Sequence, residues 1–412
     1  MAVGHTETVA STELFDAALR RFLTDRREDA DAMGEGVAHA VAELADYVLS
    51  GGKRVRPAFA WLGWLGAGGD EAGPSAPAVA RACAALEMLH ASALIHDDII
   101  DASETRRGRP AAHITFAGRH RARGWSGSPA ESGTGTAILV GDLALAWADD
   151  LVRGSGLPDR TQARVGPVWS AMRTEVLCGQ LLDLTAEAKQ AGRSRRRFGS
   201  ALKGRGAVTY AAPPRGRDQP RRCRSRPTAQ CGSSSGALSG AEDLATALRI
   251  DRYKTASYTV ERPLHFGAAI AGADEPLVSA YRAFGADIGI AFQLRDDLLG
   301  VFGDPEVTGK PSGDDLREGK RTVLLAQALR QADRRDPAGA ALLRAKVGTP
   351  FGDDELDTIR ALLVDVGAVH LVEEDIARRT ERALTALRSS GAAGHALDRL
   401  ADMALRATQR AR

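Results

Sequence analysis

The sequence predicts an all-α protein, a single large helical bundle spanning residues 1–412. Three observations carry this expectation. Ala, Leu, Glu and Arg dominate, aromatic residues make up 5% and alternating β-type runs are scarce. In residues 79–101 (VARACAALEMLHASALIHDDIID), Ala82, Leu86, Leu89 and Ala93 recur at spacings of three and four, and residues 280–302 and 359–388 show similar periodicity. Gly-rich turns at 50–52 and 66–69, and Gly-Asp-Pro at 303–305, separate the periodic stretches. With 412 residues and 44% hydrophobic content, the chain can bury a large core.

Charge and composition exclude several classes. Net charge is only +2, so nothing global points to nucleic acid or to an anionic membrane surface. The balance is uneven, because residues 191–240 hold eleven Arg and one Lys against the single acid Asp218, which leaves the rest of the chain acidic. The four cysteines (Cys83, Cys178, Cys223, Cys231) form no CxxC pair, so neither a disulfide framework nor a zinc site is implied. The first residues are polar and acidic where a signal peptide needs an apolar run, and no stretch reaches 18 uninterrupted apolar residues. A cytoplasmic protein without a membrane span is expected.

In chain order, the first motif is Gly51-Gly52-Lys53-Arg54-Val55-Arg56-Pro57. A Gly-Gly turn lets backbone approach an anion, and lysine is a point charge for phosphate. Next, His96-Asp97-Asp98-Ile99-Ile100-Asp101 closes a strongly apolar helix. Positions i and i+4 share a helix face, so Asp97 and Asp101 project together with Asp98 beside them. Carboxylates so close repel, and negative charge at a helix C-terminus opposes the macrodipole. A divalent cation resolves both, and all-oxygen ligands suit Mg²⁺. Arg106 and Arg107 follow in Arg-Arg-Gly-Arg-Pro, where guanidinium forks suit phosphate oxygens.

Residues 118–136, rich in Gly, Ser and Arg, are expected as a surface loop. Residues 190–240 mix Arg, Pro, Gly, Ser and Cys with almost no helical period. Such a stretch buries too little apolar surface to offset its ordering entropy, so disorder is expected. An anion-binding tail, a tolerated insertion and an out-of-frame stretch all fit it. Helical periodicity resumes at Ala241. Downstream, Phe-Gln-Leu-Arg-Asp-Asp places Asp296 and Asp297 in a second apolar helix, with Lys254-Thr255 upstream and Lys310 and Lys320 beyond. Two carboxylate helices facing each other could grip one metal–phosphate group.

Together, GGKRVRP, EMLHASALIHDDIID, the Arg-Arg-Gly-Arg-Pro tail, Gly141-Asp142, GQLLDL at 179–184, YKTASYT at 253–259, FQLRDD and the two downstream lysines resemble, in order, the trans-isoprenyl diphosphate synthases (polyprenyl synthetases), most of all bacterial geranylgeranyl-type members. The resemblance covers roughly residues 35–190 and 241–345. It implies an isoprenoid-synthase helical bundle with a central active-site cavity, Mg²⁺ as cofactor, isopentenyl and allylic diphosphates as substrates, and a homodimer. By position, Lys53, Arg56 and His90 match isopentenyl diphosphate ligands, with Arg107 contributing. Arg106, Lys254, Thr255, Gln293, Lys310 and Lys320 match allylic diphosphate ligands. Asp97, Asp101 and Asp296 match metal ligands supported by Asp98 and Asp297, and Gln180 and Asp183 match a polar patch near the metals.

The family's second motif commonly carries a third Asp where this chain has Gly300, and Asp304 lies near the same face. In members that stop at fifteen carbons, bulky aromatics sit four or five residues before the first Asp. Ser92 and Ala93 are small, so a deeper floor at Leu89 or Leu86 and a twenty-carbon product are expected. A farnesyl or longer-chain synthase, a class I terpene cyclase, a His-Asp phosphohydrolase built on His96-Asp97, and a binding protein acting through the Arg-rich segment remain alternatives on residues alone.

Overall fold

The structure, a computed structural model, describes residues 3–106, 108–201, 235–304 and 312–409. Helices α1 (Val3–Met33) and α2 (Glu35–Leu49) lead through the Gly51-Gly52 turn into α3 (Val55–Gly66) and α4 (Ala76–Ile100). A two-stranded antiparallel ribbon, β1 (Thr105–Arg106) and β2 (Arg109–Pro110), follows. Then come α5 (Ala112–Ala122), α6 (Pro129–Arg153) and α7 (Asp159–Ala201). Helix α8 (Ser235–Ile250) passes without a break into a π-helical segment (Asp251–Glu261) and then α9 (Arg262–Ala271). The remainder is α10 (Glu275–Phe302), α11 (Asp314–Glu318), α12 (Val323–Arg335), α13 (Pro337–Lys346), α14 (Asp353–Asp365), α15 (Ala368–Arg388) and α16 (Gly394–Thr408). The all-α expectation holds.

Helix α4 is buried on nearly every face, because Ala and Leu fill positions that a surface helix would give to polar residues. It packs on α6, α3 and α1. It is long and apolar enough to cross a membrane, yet most of its apolar stretch is buried inside the protein. Two apolar cores form. One gathers Phe15, Trp61, Leu86, Met172, Phe266 and Phe284, and the other Leu294, Leu316, Leu324, Leu343, Leu363 and Val372. Helix α10 runs through both, with Ile288 in the first and Leu298 in the second, and the π-helical segment contributes Tyr258 to one and Ala256 to the other. Asp296 and Asp297 on α10 and Lys254 on the π-helical segment lie on elements that join the two cores, whereas Asp97, Asp98 and Asp101 stand at the end of α4, which belongs to the first.

Two expectations are corrected. Residues 118–136 are not a surface loop. Helix α5 continues to Ala122 and α6 starts at Pro129, capped by Ser128, whose hydroxyl accepts from the Glu131 amide. A Cβ at Gly133 would stand 2.4 Å from the His113 carbonyl oxygen, so this glycine serves close helix packing instead of a turn. The segment 190–240 is not irregular throughout, since α7 extends to Ala201 and α8 begins at Ser235; residues 202–234 lie outside the described residues. The helical periodicity of 359–388 is borne out by two helices, separated where Gly367 takes a left-handed conformation (φ 80°) between α14 and α15.

Candidate active site

Helix α4 ends as its acidic motif predicts. Asp97 and Asp98 lie in its last turn and Asp101 caps it, its amide bonded to the Asp97 carbonyl at 2.8 Å. The ribbon folds back over this end and delivers Arg106, whose Nε donates to Asp98 Oδ1 at 2.8 Å and whose Nη2 also bonds Asp98 and lies 3.5 Å from Asp97 Oδ2. Lys254 reaches in from the π-helical segment, its Nζ 2.6 Å from Asp183 Oδ2 of α7 and 3.1 Å from Asp97 Oδ1. This approach depends on Gly179 of α7. A Cβ there would stand 2.3 Å from the Lys254 amide nitrogen, so any side chain would push the π-helical segment away. Lys320, just after α11, brings Nζ to 3.2 Å from Asp315 Oδ1 and 3.9 Å from Asp101 Oδ2.

The charges sort the carboxylates. Burial would raise Asp97, but the Lys254 and Arg106 cations outweigh it and hold the group below the usual carboxylate range. Burial and repulsion from Asp97 push Asp101 up to about 6. Burial also raises Asp98, with Arg106 opposing. Lys254 and Lys320 are raised above an ordinary lysine because the carboxylates around them outweigh their burial, so both stay cationic.

On α10, Asp297 is 4% exposed, and Gln293 Nε2 donates to its Oδ1 at 2.7 Å. Its carboxyl is pushed well up by burial and by the Asp251 charge. Asp296 is half-buried beside it. The oxygens Asp98 Oδ2 and Asp297 Oδ2 are buried without a hydrogen-bond partner, and Asp97 Oδ1 has an ion pair but no hydrogen bond. Buried carboxylate oxygens left so are costly and fit a hard cation with oxygen ligands. Among the described residues, no three His, Cys, Asp or Glu side chains form a ready-made cage. A cation held by one or two carboxylates and by substrate oxygens suits that arrangement.

A second constellation lies close by in the fold. Arg56 (α3) and His90 (α4) meet through the π-helical segment. Arg56 Nη2 donates to Thr259 Oγ1 at 2.9 Å, and its guanidinium stacks 4.3 Å from the Tyr258 ring centroid. The Tyr258 hydroxyl lies 3.4 Å from His90 Nδ1. Lys53 is exposed at the head of the same motif. Sequence reasoning missed Tyr258 and Thr259, although both close the YKTASYT stretch. It also missed the role of Arg54, which turns inward in a left-handed conformation (φ 45°) and pairs with Asp16 and Glu87, both at 2.8 Å.

The structure therefore brings Asp97, Asp98, Asp101, Arg106, Asp183, Lys254 and Lys320 into one contact network, and joins Gln293 to Asp297. Gln180 and Thr255 are half-buried on the elements that carry Asp183 and Lys254. Arg107 and Lys310 lie outside the described residues. Asp304 is exposed beyond the end of α10. His96 faces α6, with Nε2 3.3 Å from the Ile138 carbonyl and 3.5 Å from Asp142, and among the described residues no cluster of His, Cys, Asp or Glu forms a metal cage around it.

A helical bundle with two acidic helix motifs flanked by lysines and arginines defines the class. The polyprenyl synthetase family model matches residues 38–215 and 233–358. The chain is 31% identical to geranylgeranyl diphosphate synthase of Mycobacterium tuberculosis over 338 residues, 82% of this chain and 75% of that protein. It is 30% identical to geranylfarnesyl diphosphate synthase of Aeropyrum pernix over 339 residues, 82% and 83% of the two chains. The crystal structure of geranylgeranyl pyrophosphate synthase from Corynebacterium glutamicum, complexed with isoprenyl diphosphate and magnesium, superposes with a TM-score of 0.80 at 39% identity, covering 97% of this chain and 99% of that one. The chain belongs to the polyprenyl synthetase family and is a trans-prenyltransferase.

Proposed function

We propose that this enzyme joins isopentenyl diphosphate to an allylic diphosphate (dimethylallyl, geranyl or farnesyl) and releases geranylgeranyl diphosphate, acting with Mg²⁺ as a cytoplasmic homodimer. The observation that carries this reading is Lys254 bridging Asp97 and Asp183 beside the Arg106–Asp98 pair, which puts cations and carboxylates where a diphosphate and its metal would compete for them. Asp97, Asp101 and Asp296 would hold Mg²⁺, supported by Asp98 and Asp297. When bound, the metal neutralises diphosphate oxygens and favours departure of the leaving group.

The chain's own residues do the rest. Lys254, Thr255, Arg106, Gln293, Lys310 and Lys320 hold the allylic diphosphate, and their charge stabilises the pyrophosphate as the allylic C–O bond breaks. Lys53, Arg56 and His90, with Arg107, hold isopentenyl diphosphate so that its double bond faces the allylic carbon. The new C–C bond forms head to tail, and the departing pyrophosphate accepts the proton then lost. No side-chain nucleophile is required. The apolar walls exclude water, which would quench the cation. The growing tail runs along α4 past Ala93 and Ser92 towards Leu89 and Leu86. Each helical turn rises about 5.4 Å, roughly one isoprene unit.

The test is incubation of the full chain with labelled isopentenyl diphosphate and each allylic primer, with and without Mg²⁺, followed by product sizing. A twenty-carbon product that needs Mg²⁺ is expected. A cyclic hydrocarbon, or no incorporation of isopentenyl diphosphate, would refute the reading. Asp97→Ala should cut turnover by orders of magnitude with the circular-dichroism spectrum unchanged, and near-normal turnover would remove Asp97 from the site.

A further inference from the structure

Gly300 lies four residues after Asp296 on α10, the spacing that puts two helical residues on one face. The space beside it is filled. A Cβ at Gly300 would stand 2.2 Å from Asp315 Oδ2 and 3.1 Å from Asp315 Cγ. The Asp315 carboxylate thus occupies the volume that a side chain at 300 would fill. The arrangement is tied in place, since the Gly313 amide donates to the Gly300 carbonyl at 2.8 Å and joins the start of α11 to α10.

The neighbours of Asp315 belong to the site. Its Oδ1 lies 3.2 Å from Lys320 Nζ, which in turn lies 3.9 Å from Asp101 Oδ2 in the first cluster. Asp297, buried with one oxygen unpartnered, feels the charges of both Asp315 and Asp296. We propose that Asp315 supplies the third carboxylate of the second acidic cluster through space, in place of a side chain at 300, and so helps hold the divalent cation against the diphosphate. The motif is split between two elements: α10 contributes Asp296 and Asp297, and α11 contributes the third acid. Gly300 is then a requirement of the site, because a side chain there would expel the carboxylate that replaces it.

This proposal rests on the diphosphate reading above, and one titration separates the two. Inorganic pyrophosphate is titrated by calorimetry into the full-length protein at a series of Mg²⁺ concentrations. In the wild type, pyrophosphate binding tightens with Mg²⁺. Asp315→Ala shifts the Mg²⁺ concentration required upward by about ten- to a hundredfold, the size usual for removing a group that supports a metal site. The near-isosteric Asp315→Asn carries the same shift, so the result does not hinge on α11 tolerating alanine. Gly300→Asp combined with Asp315→Ala returns the carboxylate to α10 and restores the wild-type Mg²⁺ dependence. Were Asp315 only a support for Lys320, both Asp315 variants would weaken pyrophosphate binding equally with and without Mg²⁺, and that result overturns the proposal. So does an unchanged Mg²⁺ dependence. Wild-type protein whose pyrophosphate binding ignores Mg²⁺ would sink the diphosphate reading and this proposal with it.

Discussion

Arg54 and Arg56 stand two residues apart and do opposite work. Arg54 is 3% exposed and bonds Glu87, itself 7% exposed, so the pair ties the Gly-Gly turn to the middle of α4. Breaking a buried ion pair leaves one charge uncompensated, so Arg54→Ala should destabilise the fold by about 3–5 kcal/mol, measured by denaturant unfolding. Arg56 instead presents its guanidinium across Tyr258. Tyr258→Leu removes a cation–π contact of about 1–2 kcal/mol and should raise the KM for isopentenyl diphosphate roughly tenfold, with kcat and the allylic KM little changed. Steady-state kinetics with each substrate varied in turn checks this, and an equal loss in all three would mean a general packing defect.

Helix α4 carries both the carboxylates proposed to hold the metal and the proposed measure of product length. Ser92 and Leu89 are buried and Ala93 is half-buried, so the face behind Asp97 offers no bulky stop in the first turn. Ala93→Phe should place one there and shorten the main product by about one isoprene unit, the length of one turn. Chromatography of dephosphorylated products reads this directly, and an unchanged product would refute the floor at α4. The π-helical segment between α8 and α9 is the other decisive element. Its wider turn carries Lys254 towards the aspartates and Tyr258 and Thr259 towards Arg56, so one irregular stretch reaches both proposed substrate positions. Nothing in the YKTASYT residues announces this geometry, because Gly179, Gly285 and Gly289 on neighbouring helices allow the close approach.

Across the whole molecule, α10 and the π-helical segment contribute to both apolar cores and carry Asp296, Asp297 and Lys254, while α4 and α7 bring Asp97 and Asp183 to Lys254. Residues 202–234 join α7 to α8, and the family match is interrupted at 216–232. Replacing 202–234 with a short Gly-Ser linker should leave condensation turnover within about twofold, since long loops cost little in closure entropy. A loss of turnover with the bundle still folded would give the Arg-rich stretch a part in catalysis.

The all-α class, the helix ending in Asp97, Asp98 and Asp101, the second helix with Asp296 and Asp297, and the accompanying Lys254 and Lys320 were all legible along the chain. Local periodicity and charge spacing encode them, and a helix face needs only its own residues to be recognised. The loop expectation for 118–136 failed for the complementary reason. A glycine that admits a neighbouring backbone and a glycine that makes a turn look alike in one dimension, and only packing tells Gly133 from a turn residue. The same limit hid Tyr258 between Arg56 and His90, the inward pairing of Arg54, and Asp315 in the space beside Gly300. Each joins residues far apart in the chain, and only the tertiary structure, by setting which backbones touch, decides what fills the room a missing side chain leaves.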